Sequence, residues 1–360
     1  MAQRILVTGG AGFIGSRLVR RLQAAHPDCR VWVLDNLHPQ VHGADARAPE
    51  LGDRAEFVRG DVADPAAVRD AVERARPEIV YHLAAETGTG QSYDEPARYN
   101  AVNVMGTAHL IEAMRATGTV RQVVLAASRA VYGEGAWLDA AGNRCVGLPR
   151  DASAMARGDF SVPLPSGHAG PGTPAASAGG QREMPASVYA STKLMQEYLL
   201  VQAGQGAAWR ATVLRFQNVY GDGQSLRNPY TGVLSIFAQQ LLAGRELAIF
   251  EDGEIARDYV YVDDVVDALA RAGAADLPHG AVLDIGMGRA VTILETAKLL
   301  MRALGLPETK YRITGEFRVG DIRHASADIS AARESLGWSP RVDVEEGLTR
   351  LARWAAEGGK

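Results

Sequence analysis

Residues 7–15 read Val7-Thr8-Gly9-Gly10-Ala11-Gly12-Phe13-Ile14-Gly15. The apolar residues 5–7 predict a buried strand before this stretch, and the apolar spacing over residues 18–22 predicts a helix after it. The glycines therefore lie at a strand-to-helix turn, where Gly9 permits the turn, Gly12 admits a pyrophosphate and Gly15 lets the helix pack closely. Free amides at the helix start favour bound phosphate. We predict a dinucleotide-binding turn; a plain strand-turn-helix is the alternative.

A second apolar strand, residues 31–34, ends at Asp35. This acid lies about twenty residues beyond the glycines, where a carboxylate accepts hydrogen bonds from both ribose hydroxyls. Its charge repels a 2′-phosphate, so the sequence favours NAD over NADP as cofactor. Asn36 follows directly and can assist. The alternative for Asp35 is an ordinary acid at the end of a strand.

Further apolar segments at residues 56–59, 79–83 and 123–127 alternate with predicted helices at 65–75 and 103–116. Apolar strands separated by helices predict an α/β fold, a doubly wound parallel sheet of the Rossmann type. Ligands bind beyond the carboxyl ends of such strands. The residues that fall at these ends are Asp61, Ala84, Ala85 and Ser128.

Tyr189 and Lys193 stand four residues apart, which places a phenol and an ammonium on one face of a helix. This spacing is common on helices, but together with a dinucleotide turn it indicates redox chemistry on an alcohol. The ammonium and an oxidised nicotinamide both carry positive charge, and charge proximity favours the phenolate. Tyr189 is therefore a candidate general base near neutral pH.

These motifs resemble the extended short-chain dehydrogenase/reductase family, in its NAD-dependent nucleotide-sugar epimerase/dehydratase group. The resemblance covers nearly the whole chain and includes residues 9–15, 61–62, 82–85, 128–133, 189–193, 214–221, 257–264 and 318–324. It implies that Ser128, Tyr189 and Lys193 are catalytic. Ser128 would hold the sugar hydroxyl, Tyr189 would exchange its proton, and Lys193 would hold the nicotinamide ribose.

The resemblance also assigns residues to ligands. The cofactor-binding residues that it implies are Gly9, Gly12, Phe13, Ile14, Gly15, Asp35, Asn36, Asp61, Val62, Leu83, Ala84, Ala85, Asn103, Tyr189 and Lys193. The implied substrate-binding residues are Thr87, Ser128, Arg129, Asn218, Arg257, Arg318 and Asp321. Asn218, Arg257 and Arg318 would contact the diphosphate and nucleotide. The alternatives are a helix cap for Asn218 and a solvated surface charge for either arginine.

The residues after Ser128 differ from the dehydratases of the family. Those enzymes carry an adjacent Asp-Glu pair there, whereas this chain has Arg129 and Ala130, and its next carboxylate is Glu134. Epimerisation at C4 of a nucleotide hexose, through a 4-keto intermediate, is therefore the leading hypothesis. The alternatives are a net NAD-dependent 4-keto nucleotide-sugar reductase or dehydrogenase, and a non-catalytic NAD-sensing regulator. In related epimerases, the position of Ala325 lines the sugar pocket.

Three stretches resemble the branch of the family that contains dTDP-L-rhamnose 4-epimerases and related 4-epimerases. They are residues 86–92, 128–135 and 228–234. This resemblance makes dTDP-L-rhamnose and dTDP-6-deoxy-L-talose, or a UDP-hexose pair, the expected substrates.

More than fifty residues separate Tyr132 from Tyr189, and much of this segment is Ala, Gly, Pro and Ser. Low hydrophobicity and many chain breakers predict an insertion loop at about 136–185 with no core of its own. Such a loop is either a lid over the sugar or a passive disordered segment. Its only cysteine is Cys145, so we expect no metal site.

A length of 360 residues predicts two lobes at ~150 residues per domain. We expect residues 1–215 to form the NAD-binding Rossmann domain. Residues 216–360 would form mainly the nucleotide-sugar lobe, with about 257–290 returning to the first lobe. The family resemblance implies a homodimer formed by helices, with Leu194, Leu199 and Leu200 as candidate contacts; alternatively, these leucines face their own sheet.

Composition excludes several classes of protein. A net charge of −4 leaves no footprint for nucleic acid, and no apolar run reaches the ~18 residues of a membrane span. The chain enters its first strand at once, which leaves no room for a signal peptide. Two cysteines, Cys29 and Cys145, are too few for a disulfide framework. The expected location is the cytoplasm, and the expected partner is a small nucleotide sugar.

Overall fold

The computed structural model of the protein describes residues 3–44, 46–168, 170–225 and 232–358. Its strands there are β1 (Arg4–Thr8), β2 (Arg30–Asp35), β3 (Ala55–Arg59), β4 (Ile79–His82), β5 (Gln122–Ser128), β6 (Ala136–Leu138), β7 (Arg144–Val146), β8 (Thr173–Pro174), β9 (Arg210–Phe216), β10 (Asn218–Tyr220), β11 (Leu247–Ile249), β12 (Ala256–Arg257), β13 (Tyr259–Tyr261), β14 (Ala281–Ile285), β15 (Val291–Thr292) and β16 (Tyr311–Ile313). Residues 228–231, part of one stretch that resembles 4-epimerases, lie outside the described residues.

The helices of the described ranges separate these strands. The α-helices are α1 (Phe13–Ala25), α2 (Pro39–His42), α3 (Pro65–Ala75), α4 (Thr89–Asp94), α5 (Pro96–Tyr99), α6 (Gly106–Thr117), α7 (Ala152–Ala156), α8 (Val188–Gly204), α9 (Val233–Leu242), α10 (Val262–Ala274), α11 (Ile293–Ala303), α12 (Ser330–Leu336) and α13 (Val344–Ala356). A π-helical segment, Asn100–Met105, precedes α6, and a 3₁₀ turn, Arg129–Tyr132, follows β5. None of the helices described is long and apolar enough to cross a membrane.

The main sheet has seven parallel strands in the order β14-β9-β5-β4-β1-β2-β3. Its central strands are apolar on both sides, as in β1, where Ile5, Leu6 and Val7 are fully buried. The predicted Rossmann-type α/β fold is confirmed. Strand β1 lies between β2 and β4, and the order of the strands reverses there. At such a point, a crevice opens at the carboxyl end of the strand.

Helices cover both faces of this sheet. Apolar residues of α3, α6 and α8, including Val72, Leu110 and Leu200, pack on one face. Apolar residues of α1 and α10 pack on the other, and this core continues into α9, α11 and α13 of the C-terminal half. Strand β14 and helix α10 come from residues 262–285, yet they belong to the main sheet and its cover. The C-terminal half therefore shares a hydrophobic core with the main sheet.

The expectation that residues 136–185 form a loop without a core is wrong. Strand β6 lies between β7 and β8 in an antiparallel three-stranded sheet. Trp137 is 5% exposed, and its Nε1 donates to the carbonyl of Glu134 at 3.0 Å. Met155, Phe160 and Val162 are also buried. Average composition conceals these residues because the few apolar side chains of the segment are concentrated at inward positions.

The turn between β6 and β7 is closed by a carboxylate. Asp139 accepts from the amides of Ala141 and Asn143 at 2.9 and 2.8 Å. His168 Nδ1 lies 3.0 Å from Asp139 Oδ2, which joins the two ends of the insertion. No group of three side chains suited to a metal ion occurs within the ranges that the structure describes. Polar side chains therefore close this small sheet.

Two of the three leucines proposed as dimer contacts are buried within the chain, so that expectation is wrong for them. Leu194 packs with Val131 and Tyr132, and Leu200 lies in the core under the sheet. Leu199 packs partly against the same core. These leucines face inward because the apolar face of α8 is wide and lies directly on β5 and β9.

We predict that Trp137→Ala lowers the free energy of unfolding by about 3–5 kcal/mol, because large-to-small changes at buried aromatic sites leave a cavity. The ring fills space that Gly147 and Gly172 leave open, since a Cβ on either would lie within 2.7 or 3.0 Å of it. Chemical denaturation measures the change. Val319→Ala is the control: Val319 is 67% exposed, and its loss should cost under about 0.5 kcal/mol. Equal stabilities for the two variants would show that the insertion does not contribute a core.

Candidate active site

The glycine-rich turn after β1 has a geometry that only glycines satisfy. Gly9 has φ +69°, and a Cβ there would lie 2.7 Å from the amide nitrogen of Ala84. A Cβ on Gly15 would lie 2.3 Å from the carbonyl oxygen of Gly9. Gly12 caps α1 without any side-chain hydrogen bond, so the amides of Phe13 and its neighbours face outward uncapped. The turn fits a pyrophosphate at the helix N-terminus, as the sequence predicts.

Asp35 lies beside this turn and also stabilises it. Its Oδ2 accepts from the amide of Ala11 at 3.0 Å, and its Oδ1 accepts from the amide of Leu37 at 2.9 Å. Asn36 Nδ2 donates to Asp61 Oδ2 at 2.8 Å, which joins the ends of β2 and β3. The sequence predicts that Asp35 and Asp61 bind the cofactor. It does not reveal that Asp35 also stabilises the glycine-rich turn.

Residues after β4 lie directly against the glycine turn. The amide of Leu83 donates to the carbonyl of Thr8 at 3.0 Å, and the amide of Ala84 donates to Thr8 Oγ1 at 3.3 Å. Asn103, from the π-helical segment, accepts from the amide of Glu86 at 2.8 Å and donates to Thr192 Oγ1 at 3.0 Å. Asn103 thus holds the end of β4 to α8, and π-helical segments of this kind occur often at functional sites. The other predicted cofactor residues here, Val62 and Ala85, follow β3 and β4 at the same edge of the sheet.

The structure brings Ser128, Tyr189 and Lys193 together. Ser128 is the last residue of β5, and the Ser187 hydroxyl caps α8 by accepting from the amide of Ala190 at 3.1 Å. This cap starts the helix just before Tyr189, whose hydroxyl lies near enough to the hydroxyl of Ser128 to be influenced by it. Lys193 follows one turn later on the same helix.

Burial dominates the electrostatics of this group. It raises the pKa of Tyr189, and the nearby Ser128 hydroxyl acts in the opposite direction. Burial also lowers the pKa of Lys193 to about 8, against the influence of Glu197. Ionisation of Tyr189 near neutral pH therefore requires a further positive charge nearby, of the kind an oxidised nicotinamide carries.

The sequence analysis missed a buried network behind Lys193. Lys193 Nζ donates to the carbonyl of Ala126 at 2.7 Å and to Gln196 Oε1 at 2.5 Å. Gln196 Nε2 donates to Thr107 Oγ1 at 2.9 Å and lies 3.2 Å from His82 Nε2. Burial lowers the pKa of His82 to about 3, so its ring is neutral at working pH. The only sequence signal is a polar residue on the buried face of an apolar helix.

Tyr99 is a second neighbour that the sequence did not indicate. Its ring meets that of Tyr189 edge-on, with centroids 6.4 Å apart. Its hydroxyl donates to the carbonyl of Thr87 at 2.6 Å. Thr87, a predicted substrate residue, is therefore held near Tyr189 through its backbone.

Arg129, Arg257 and Asp321 form a second group at the edge of the site. Arg257 Nη2 donates to Asp321 Oδ1 at 2.5 Å, and Arg129 Nη2 donates to the carbonyl of Gly133 at 2.8 Å. Arg129 Nε is buried and has no hydrogen-bond partner among the described residues. Burial and the Arg257 guanidinium lower the pKa of Arg129 to about 10. Two close guanidiniums with a donor to spare fit an anionic ligand.

The remaining predicted substrate residues are placed differently. The Arg318 guanidinium lies over the ring of Phe250, 5.0 Å from its centre, rather than in the group around Arg257. Asn218 is the first residue of β10, where its amide donates to the carbonyl of Asp258 at 2.9 Å, so it does not cap a helix. Ala325 is 3% exposed beside β12, where its amide donates to the carbonyl of Ala256.

Comparison with known proteins identifies the family and the fold to which this chain is similar. The model of the NAD dependent epimerase/dehydratase family matches residues 5–144 and 165–286, and its gap lies inside the insertion. The dTDP-L-rhamnose 4-epimerase of Burkholderia thailandensis is 40% identical over 360 residues, covering 99% of this chain and 95% of that protein. The UDP-glucose 4-epimerase of Thermotoga maritima, solved with UDP-glucose, is 32% identical with a TM-score of 0.78 over 99% of each chain. The Thermus thermophilus UDP-glucose 4-epimerase, solved with NAD, is 28% identical with a TM-score of 0.76 over 98% of each.

We predict that Asp35→Asn weakens NAD binding and reduces the preference for NAD over NADP. The amide oxygen can still accept from a backbone amide of the turn, but the charge that repels a 2′-phosphate is lost. Titration of the variant and the unmodified protein with both cofactors measures the change. Equal affinities of the unmodified protein for NAD and NADP would contradict this role for Asp35.

Proposed function

The chain belongs to the NAD dependent epimerase/dehydratase family, and on that premise we propose that it interconverts C4 epimers of a nucleotide-activated hexose. The observation that carries the proposal is the proximity of the Ser128 and Tyr189 side chains, with Lys193 one helical turn away. These groups lie at the same edge of the sheet as the glycine turn. Alcohol oxidation and ketone reduction need a proton-transfer group beside a dinucleotide site, and this arrangement supplies both.

Each residue has a defined task in this proposal. Tyr189 takes the proton of the C4 hydroxyl and later returns it, while the Ser128 hydroxyl holds the oxygen. Lys193 holds the nicotinamide ribose, and Asp35 accepts from the adenosine ribose. NAD, when bound between the glycine turn and Lys193, would supply the acceptor and donor of the C4 hydride, and the intermediate of the proposal is a 4-keto sugar. No net redox change results, so the cofactor can remain bound.

Elimination of water would require free carboxylates after Ser128, and the structure offers none at that place. Arg129 is buried, and Ala130 has no acid–base group. The nearest carboxylate in sequence is Glu134, and both of its oxygens are engaged. Oε1 accepts from Arg150 at 3.1 Å, and Oε2 accepts from the amide of Arg323 at 2.8 Å. This arrangement supports epimerisation over dehydration.

The substrate pair that we propose first is dTDP-L-rhamnose and dTDP-6-deoxy-L-talose, with a UDP-hexose pair as the next class. The support is the 40% identity to a dTDP-L-rhamnose 4-epimerase. Arg129, Arg257 and Arg318 would bind the diphosphate and nucleotide. Residues 216–360 would form most of that nucleotide-sugar lobe, over the NAD-binding residues 1–215. The small side chain of Ala325 would leave room for a ketone to rotate.

We further propose a homodimer in the cytoplasm. Three large apolar side chains, Met105, Met195 and Tyr198, are 50%, 43% and 45% exposed on the neighbouring segments around α6 and α8. Exposed apolar residues grouped in this way favour a protein interface. Cys29 and Cys145 are both free, which fits a reducing compartment. Gel filtration with light scattering tests the dimer, and a monomer at micromolar concentration would contradict it.

The function is tested by supplying each nucleotide hexose to the purified protein with no nicotinamide added. We expect interconversion of a C4 pair, read by NMR from the stereochemistry of the product. Conversion that requires stoichiometric NADH would instead identify a net reductase. Inertness toward every dTDP- and UDP-hexose would contradict the proposal.

We predict that Tyr189→Phe lowers kcat about 10²–10⁴-fold, the range typical of a lost general acid–base group. The ring stays, so folding and NAD affinity should be retained. Tyr198→Phe is a matched control on the same helix: Tyr198 is 45% exposed and should keep normal turnover. Turnover of Tyr189→Phe close to that of the control would remove the phenol from the reaction.

A further inference from the structure

A buried arginine joins the insertion to the C-terminal half of the chain. The Arg150 side chain is 2% exposed and donates through all three of its nitrogens. Nε donates to Glu134 Oε1 at 3.1 Å, and Nη1 donates to both oxygens of Glu251 at 2.9 Å. Nη2 donates to the backbone carbonyl of Asp321 at 2.8 Å. One guanidinium thus connects three segments that are distant in sequence.

A second arginine completes this group, which we name the insertion clamp: Glu134, Arg150, Glu251 and Arg323. The amide of Arg323 donates to Glu134 Oε2 at 2.8 Å, and its Nη1 donates to Glu251 Oε2 at 2.9 Å. The side chains of Glu134 and Glu251 are 4% and 0% exposed. Each glutamate therefore has partners on both sides, and the two buried negative charges are matched by two arginines.

The backbone at Glu251 indicates that the clamp holds a strained position. Glu251 has φ +52°, in the left-handed region that residues with a side chain rarely adopt. Its amide donates to the carbonyl of Glu316 at 2.7 Å, and its carbonyl accepts from the amide of Gly315 at 3.2 Å. Such a conformation persists only where surrounding contacts determine it. Here these contacts anchor the beginning of the loop that leads to Asp321.

That loop carries Arg318, one of the arginines proposed to bind the diphosphate, and Asp321, the partner of Arg257. Asp321 Oδ1 accepts from Arg257 Nη2 at 2.5 Å, and the amide of Asp321 donates to the carbonyl of Arg318 at 3.2 Å. Asp321 is therefore hydrogen-bonded to both Arg150 and Arg257, and it links the two arginines. Through the same residue, Arg150 holds the turn that begins at Arg318. The insertion reaches the nucleotide-binding groups by this route.

We propose that Arg150 is a positioning residue for the nucleotide sugar, and that the insertion acts as a fixed brace that holds Asp321 and, through it, Arg257 in place for the diphosphate. The inference rests on the proposed function and assigns the insertion a part in it. Arginine suits this position because its planar fork can satisfy acceptors in several directions at once, whereas an ammonium is a point charge. The proposal differs from a lid because the insertion would hold the site through fixed, packed contacts and not by opening and closing.

The test compares Arg150→Met with the unmodified protein in binding to dTDP, UDP and NAD. Methionine keeps an unbranched apolar stem but removes every donor. We expect the Kd for the nucleoside diphosphate that the protein prefers, and the KM of its sugar nucleotide, to rise about tenfold or more. The kcat should stay within about threefold and the Kd for NAD within about twofold, because uniform binding is lost while the reacting groups are untouched.

Two further variants separate positioning from stability. Met155→Ala removes a buried side chain of the insertion that belongs to none of the clamp contacts. It should lower the melting temperature while leaving the Kd for the nucleoside diphosphate unchanged. Arg150→Lys keeps the charge but not the fork, so its affinity should remain well below that of the unmodified protein. If Arg150→Met fails to fold, Arg150→Lys provides the same comparison.

The outcomes distinguish this inference from the proposed function. If the unmodified protein binds dTDP or UDP and both Arg150 variants bind it equally well, the positioning role is overturned and the proposed function stands. If Met155→Ala loses as much affinity as Arg150→Met, the effect is only structural and the inference is likewise overturned. If the unmodified protein binds neither nucleotide, the nucleotide-sugar assignment fails, and the inference fails with it.

Discussion

The buried ammonium of Lys193 fixes the relation between α8 and the sheet, and the candidate active site depends on it. The side chain lies at 3% exposure, where a charged group without partners would be very costly. Its partners are the carbonyl of Ala126 on β5, at 2.7 Å, and the side chain of Gln196 on α8, at 2.5 Å. Because Ala126 lies two residues before Ser128, this attachment also sets Tyr189 beside the serine hydroxyl. Any displacement of α8 along β5 would separate the two hydroxyls and take from the ammonium its carbonyl partner on β5.

The same edge of the sheet brings in the cofactor turn through a different constraint. Strand β4 lies between β1 and β5, so the loop after it touches both the glycine turn and the helix with Tyr189. Contact with the turn is close enough that a Cβ on Gly9 would collide with the backbone of Ala84. On the other side, Asn103 joins Glu86 to Thr192 of α8. The glycine turn and Tyr189 are thus aligned by backbone packing on one side of the loop after β4 and by the buried Asn103 side chain on the other.

The two groups of buried charged side chains near the site differ in how their charges are matched. In the insertion clamp, each buried charge has partners on several sides, and the group connects segments of the chain. Arg129 and Arg257 differ, because two guanidiniums lie close together and one of them keeps a buried donor without a partner in the described residues. Matched buried charge stabilises a conformation, whereas a buried guanidinium that keeps an unpaired donor favours the arrival of an anion. This contrast separates the groups that hold the site from those that would bind its ligand.

The sequence alone indicated the fold class, the glycine turn with Asp35 and the pair of Tyr189 and Lys193, and the family resemblance added Ser128 to the candidate set. These are local signals, because strand patterning, a turn and a spacing of four residues are each complete within a few positions. Only the tertiary structure decided that the insertion has a core, that Leu194 and Leu200 face inward, and that Arg150 meets Glu251 and Asp321. Those partners lie 101 and 171 residues from Arg150 in sequence. No periodicity or local composition records such a contact, since it arises only when the folded chain brings distant segments together and their buried charges must find partners.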